Sequence, residues 1–149
     1  MNQKITINYM NPEEAIKYIN GAMSLRAPQA KSLELFADYL QSIAGQKVLA
    51  RMKKDTRGNT SLILSESKEY FATIPEAKEF EEFERSFPAY TFALATGVGK
   101  TRLMGAFVAY LYLVYGVQHF MIVAPGNTIY RKLVDDFSKA TIQNTCFEE

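Results

Sequence analysis

Seven consecutive residues carry the strongest chemical signal in this chain: Ala95-Thr96-Gly97-Val98-Gly99-Lys100-Thr101. Two glycines without Cβ atoms let successive backbone N–H groups turn toward an anion, and a helix starting just after them adds its positive end. In a phosphate-binding loop of this kind Lys100 would reach the β- and γ-phosphates of a nucleotide, and the Thr101 hydroxyl would ligate Mg²⁺. The strict pattern has Gly five residues before Gly99, whereas Leu94 stands there. The surrounding pattern supplies what the departure takes away, with an apolar run entering the loop and a long helical pattern leaving it. The expectation is docking of Mg·ATP by Thr96, Gly97, Val98, Gly99, Lys100 and Thr101, with Thr101 on the metal.

An acidic residue is also needed to hold Mg²⁺ for hydrolysis, and it belongs at the end of a further strand. No acidic residue stands there. The apolar run Phe120 to Val123 ends in Pro125-Gly126, Asp135 and Asp136 fall in a helical pattern, and Glu148 and Glu149 are the last two residues. The reading is therefore of the front part of a larger ATPase that would hydrolyse poorly by itself. A metal site of another kind is not expected, because His119 is the only histidine and Cys146 the only cysteine.

The elements that must position this loop follow from periodicity and breakers. Tyr90 to Leu94 reads as an aromatic and apolar strand, Lys100 to Tyr115 as a long helix and Phe120 to Val123 as a second strand. Pro125-Gly126-Asn127 makes a turn, and Thr128 to Ser138 a helix with Ile129, Leu133, Val134 and Phe137 inward. Strand and helix in alternation predict an α/β domain with a parallel sheet and right-handed crossovers. Upstream, Ile5, Ile7 and Tyr9 alternate as in a short strand. Asn11 then looks like an N-cap before Pro12, Glu13 and Glu14, for a helix fading near Gly21 to Ser24. Pro28 to Ile43 reads as another helix, with Leu33, Leu35, Phe36, Tyr39 and Leu40 buried and Gly45 as its stop.

Residues 46–89 are less regular. Lys47, Arg51, Lys53, Lys54 and Arg57 form a basic cluster, read as a solvated loop that ends in a turn at 55–59. Ser61 to Leu64 suggests a strand, and Pro75 to Arg85 an acidic helix ended by Pro88. His119, Met104, Phe107 and Leu111 read as structural residues rather than ligands.

Bulk properties limit the function classes. The chain has 149 residues, 48% hydrophobic and 22% charged, with 17 basic and 16 acidic side chains for a net charge of +1. This is about one globular domain, and the balance neither requires nor excludes a nucleic-acid partner. The apolar stretch Leu103 to Tyr115 falls short of the roughly 20 residues that a membrane span needs. A single cysteine cannot form an internal disulfide, and with no secretory signal in the first ten residues a cytoplasmic location is expected.

Three segments, in order, resemble superfamily 2 helicase–translocase motors, most closely the ATP-dependent Res subunit of type III restriction enzymes. They are Leu25-Arg26-Ala27-Pro28-Gln29, Leu94 to Thr101 and Ile122-Val123-Ala124-Pro125-Gly126-Asn127-Thr128. The resemblance implies a partial RecA-like sheet domain over 24–149, preceded by a helical extension at 1–23 and interrupted by an insertion at 46–89. It implies that Gln29 reads the adenine edge, and that Leu94 is an ordinary residue at its position. It also implies that Pro125, Gly126, Asn127 and Thr128 hold a DNA phosphate, a role that suits any helix N-terminus. ATP, Mg²⁺, DNA and a modification (methyltransferase) subunit would be its cofactors and partners. A second reading is a stand-alone P-loop protein that binds a nucleotide or transfers phosphate to a small substrate. A third is a truncated remnant that binds without turnover.

Overall fold

A computed structural model of the chain describes residues 9–54, 60–77 and 88–137. Its elements are α1 (Pro12–Met23), α2 (Ala27–Gln41), α3 (Ile43–Lys54), α4 (Thr60–Ala72), a 3₁₀ turn at Pro75–Ala77, α5 (Lys100–Tyr115) and α6 (Asn127–Asp136). They belong to two compact units, one made of residues 1–34 and 94–149 and the other of residues 35–93.

In the first unit α1 packs on α5. Asn11 caps α1, its Oδ1 accepting the Glu13 N–H at 2.9 Å, with Pro12 opening the helix. Ala15 and Ile19, four residues apart, form its buried stripe. Ser24 ends it in the left-handed region, φ 48°, and the Leu25 N–H returns to the Asn20 carbonyl. On α5 the buried residues are Leu103, Ala106, Ala109, Tyr110 and Val114. Their spacing of three and four makes one face, and the alanines with Gly105 let the neighbouring helix come close. A Cβ on Gly105 would lie 3.1 Å from Met23 Cε. Gly116 closes α5 at φ 67°, with its own N–H and that of Val117 bonded to the Tyr112 and Leu111 carbonyls. The Met10 N–H bonds the Leu113 carbonyl at 2.9 Å. Residues 1–8, where most of the first expected strand falls, lie outside the described residues.

In the second unit α3 packs on α4. Ser42 starts α3, its Oγ accepting the Gly45 N–H at 3.2 Å. Gly45 is therefore not the stop of α2. It sits in the first turn of α3, where a Cβ would land on the backbone of Tyr39 and Leu40. Ala37, Tyr39, Leu40, Ala44, Leu49, Ile63 and Ser67 form the buried set. The expected face of α2 is corrected in part, since Leu35 and Phe36 are half-buried while Leu33, Tyr39 and Leu40 are covered. Tyr39 stacks on Phe71 at 5.0 Å and meets Tyr70 and Tyr90 edge-on or tilted. Its hydroxyl bonds those of Tyr90 and Ser67, and burial pushes its pKa well above the ordinary 10.0.

The α/β expectation is corrected: among the described residues there is no strand, and a partial RecA-like parallel sheet is not formed. Tyr90 to Leu94 keeps a two-residue alternation, with Tyr90 and Phe92 turned into ring contacts and Thr91 and Ala93 exposed, but its neighbours are helices. Phe120, Met121, Ile122 and Val123 are all exposed, Met121 at 89% and Val123 at 78%. Parallel strands need both faces covered and several partners, and two short apolar runs do not supply them. Ser61 to Leu64 belongs to α4, because Ile63, Ser67, Tyr70 and Phe71 continue the pattern at helical spacing. From Lys47 to Lys54 the basic stretch is likewise helical rather than a loop, and the expected turn at 55–59, with Arg57, lies outside the described residues. Lys47 pairs with Glu66 of α4. Of the expected acidic helix, only the turn Pro75–Ala77 is described. His119 is exposed, Met104, Phe107 and Leu111 are half-buried, and no helix among the described residues is long and apolar enough to cross a membrane.

Candidate functional site

The glycine loop owes its shape to two residues in the left-handed region, Gly97 at φ 79° and Gly99 at φ 89°. A residue with a Cβ pays roughly 1–2 kcal/mol there. Gly99 is the N-cap of α5, and no side chain caps that helix end. Its carbonyl receives the first helical hydrogen bond, from the Leu103 N–H at 3.2 Å. The space beside Gly97 is open, with no atom within 4 Å of where a Cβ would sit.

Two side chains from the N-terminal end of α2 hold this loop. Gln29 is 1% exposed, and its Nε2 donates to the Gly99 carbonyl at 2.8 Å. Its Oε1 accepts the Arg26 N–H at 2.8 Å, so both ends of the amide are engaged. Arg26 Nη1 donates to the Gly97 carbonyl at 3.2 Å. In a trans peptide the C=O and N–H point opposite ways, and the described chain has no cis bond. Holding the Gly97 and Gly99 carbonyls on the Arg26 and Gln29 side therefore turns the N–H groups of Val98 and Lys100 to the other side. A Cβ on Gly99 would come within 2.6 Å of Gln29 Nε2, so this close approach is open to glycine alone.

Beside the loop is a pocket of about 630 Å³, within the size range of small-molecule sites. Gln29, Gly97, Val98, Gly99 and Thr101 line it, with Arg26 and Arg102 among the neighbouring cations and Met23, Val108 and Ala109 among the apolar residues. Thus Gln29 and four of the six loop residues singled out in the sequence meet around one cavity. Thr96 and Lys100 are exposed and outside its lining.

Pro125 to Thr128 stand apart from this pocket's walls and are exposed. Gly126 is the N-cap of α6, and no side chain caps it. Asn127 and Thr128 are the first two helical residues, with Arg131 and Lys132 next along an open groove that Asp135 and Asp136 also edge. Ile129 and Val134 are half exposed rather than inward, while Leu133 and Phe137 are partly covered. Among the described residues no group of His, Cys, Asp and Glu is placed to hold a metal.

Arg26 is the loop contact that motif reading passed over. Its signal was its position three residues before Gln29, one helical turn away, but the hydrogen bond to Gly97 spans 71 residues of sequence. Arg102 also bonds back to this segment, at the Ser24 carbonyl.

A family model for the type III restriction enzyme res subunit matches residues 22–148, and the chain belongs to that family. It is thereby placed in an ATPase- and helicase-like class of restriction subunits. No curated protein and no solved structure matches the chain.

Proposed function

We propose that the chain binds Mg·ATP at the glycine loop as part of a DNA-dependent ATPase of restriction–modification type. The observation that carries this reading is the loop itself. Two left-handed glycines, held from behind by Arg26 and Gln29, lead into an uncapped helix N-terminus beside a nucleotide-sized pocket. The first-turn N–H groups of α5 need an acceptor that no side chain supplies, and phosphate oxygens fit that need.

In this reading Thr96, Gly97, Val98 and Gly99 bend around the phosphates. Lys100 neutralises charge from the exposed side, and the Thr101 hydroxyl is a ligand for Mg²⁺. Mg²⁺ would supply charge neutralisation between β- and γ-phosphate oxygens. Gln29 lines the pocket, and a contact of its amide with the adenine edge is part of this reading. Pro125, Gly126, Asn127 and Thr128 form the second anion site, for a DNA phosphate, because α6 has no acidic residue in its first turn and no side-chain cap. The res-subunit family brings DNA and a modification subunit into the proposal as partners. Domain limits at 1–23 and 24–149, with 46–89 inserted, remain part of it. The separate compactness of residues 35–93 supports an insertion of about that extent.

Titration calorimetry of the chain with Mg·ATP tests the reading. Saturable binding that Lys100→Ala weakens at least tenfold is expected. Binding left unchanged by that substitution would sink it.

A further inference from the structure

Among the described residues, helix α6 carries an apolar face that its own chain covers only in part. Ile129, Tyr130, Leu133 and Val134 lie along one side of the helix, at the spacing of an amphipathic stripe. Ile129, Tyr130 and Val134 are 49%, 59% and 51% exposed. Phe137 continues the face, and its ring closes that end against Gly105, where a Cβ would sit 3.8 and 3.9 Å from two ring carbons. The run just before the helix is open as well, with Met121 and Val123 its most exposed side chains. Large apolar side chains gathered in one stretch mark an interaction surface, which singly scattered ones do not.

The charges beside that face decide what fits it. Arg131 and Asp135 run along one flank of the stripe and Lys132 and Asp136 along the other, each a base followed four residues later by an acid. All four are exposed. Two copies of α6 laid face to face and antiparallel bring each flank against the same flank of the other copy. Pairing about Leu133 and Val134 then sets Arg131 opposite the second copy's Asp135, and Lys132 opposite its Asp136. Parallel pairing would instead set Arg131 beside Lys132 and Asp135 beside Asp136, which repels. Antiparallel pairing also lays the positive start of each helix beside the negative end of the other. Asp135 has an interaction within its own chain, so its part in the pattern is a charge shared in a network rather than a bare carboxylate. We propose that the occupant of this face is a second copy of the chain, in an isologous antiparallel contact of α6 with α6. Leu133 and Val134 lie at its twofold axis, and Ile129 and Tyr130 reach toward the Phe137 end of the other helix. The contact goes beyond the nucleotide reading and does not rest on it. Two ten-residue helices make a small interface, which puts the association in the micromolar range.

Sedimentation velocity of the full chain over a concentration series tests the contact, with a reversible monomer–dimer equilibrium as the expected result. One variant joins Arg131→Glu to Lys132→Glu, and a second joins Asp135→Lys to Asp136→Lys. Each alone sets like charges face to face and weakens its own dimer by about tenfold or more. Mixed in equal amounts, the two restore a one-to-one dimer, because an all-acidic flank then meets an all-basic one. A second measurement does not depend on the charges. With Cys146→Ser as background, Val134→Cys at the twofold axis forms a disulfide between copies under mild oxidation, and Thr128→Cys, at the far end of the helix, does not. A wild-type chain that stays monomeric throughout the series would overturn the proposal. So would charge variants that dimerise as the wild type does, or a mixture that forms no dimer while Val134→Cys forms no disulfide. Open-ended aggregates in place of a dimer would overturn it as well, and would point to strand pairing of the exposed run 120–123.

Discussion

Replacing Gln29 tests the feature on which the site's geometry rests. Its amide makes two hydrogen bonds, to the Arg26 N–H and the Gly99 carbonyl, in a place only 1% exposed. Each bond contributes about 0.5–1.5 kcal/mol, and a buried partner left unsatisfied costs about 1–3 kcal/mol. Gln29→Met keeps the volume and deletes both bonds, so a loss of about 1–3 kcal/mol is expected. Gln29→Ala adds a cavity and brings the loss to about 2–4 kcal/mol. For a chain of this size each kcal/mol moves the midpoint by roughly 2–4 °C. Thermal unfolding followed by circular dichroism should thus place Gln29→Ala about 5–15 °C below wild type, with Gln29→Met between them. A midpoint for Gln29→Met within about 1 °C of wild type would refute the claim that this amide holds the loop, since it removes both bonds and little else.

Gly99→Ala forces a Cβ into the left-handed region and toward Gln29 Nε2, and should cost about 2–3 kcal/mol in urea unfolding, from strain plus the displaced hydrogen bond. The alkaline limb of stability reports on the buried Tyr39 and the half-buried Tyr70 and Tyr90. Tyr39, Tyr70 and Tyr90 are all raised above the ordinary 10.0, chiefly by burial, so the folded state holds their protons longer than the unfolded state does. Their stabilising effect is complete below pH 10 and falls as pH rises beyond it, most steeply for Tyr39, the most buried of the three. Denaturant midpoints should be flat from pH 7 to 9 and drop above 10, and Tyr39→Phe should make that drop shallower. An unchanged slope in Tyr39→Phe would show that Tyr39 keeps no excess proton affinity.

Local signals were read well where one residue or one helical turn decides the outcome. Asn11 and Pro12 start α1, and the apolar run after Gly99 becomes α5 from Lys100 to Tyr115, ended by Gly116. These depend on capping chemistry and on backbone freedom, which are written into neighbouring residues. Short apolar runs misled. Ser61 to Leu64 and Phe120 to Val123 have strand-like composition, but composition does not say whether another strand lies alongside. Gly45 shows the same limit, a glycine whose reason is the backbone of Tyr39 rather than a helix end.

The sequence by itself determined that a glycine loop precedes a helix, and it carried the resemblance to restriction-enzyme res subunits that the family match over residues 22–148 bears out. Residue types and short spacings carry that information, because a phosphate needs N–H groups and cations within a few residues of chain. Only the tertiary structure decided that Arg26 and Gln29 grip the carbonyls of Gly97 and Gly99 across some 70 residues, that Phe137 joins the same pocket, and that among the described residues the apolar runs form no sheet. Those outcomes depend on which surfaces meet after folding, and neither a hydrogen bond between distant segments nor a strand's missing partner leaves a mark at either position alone.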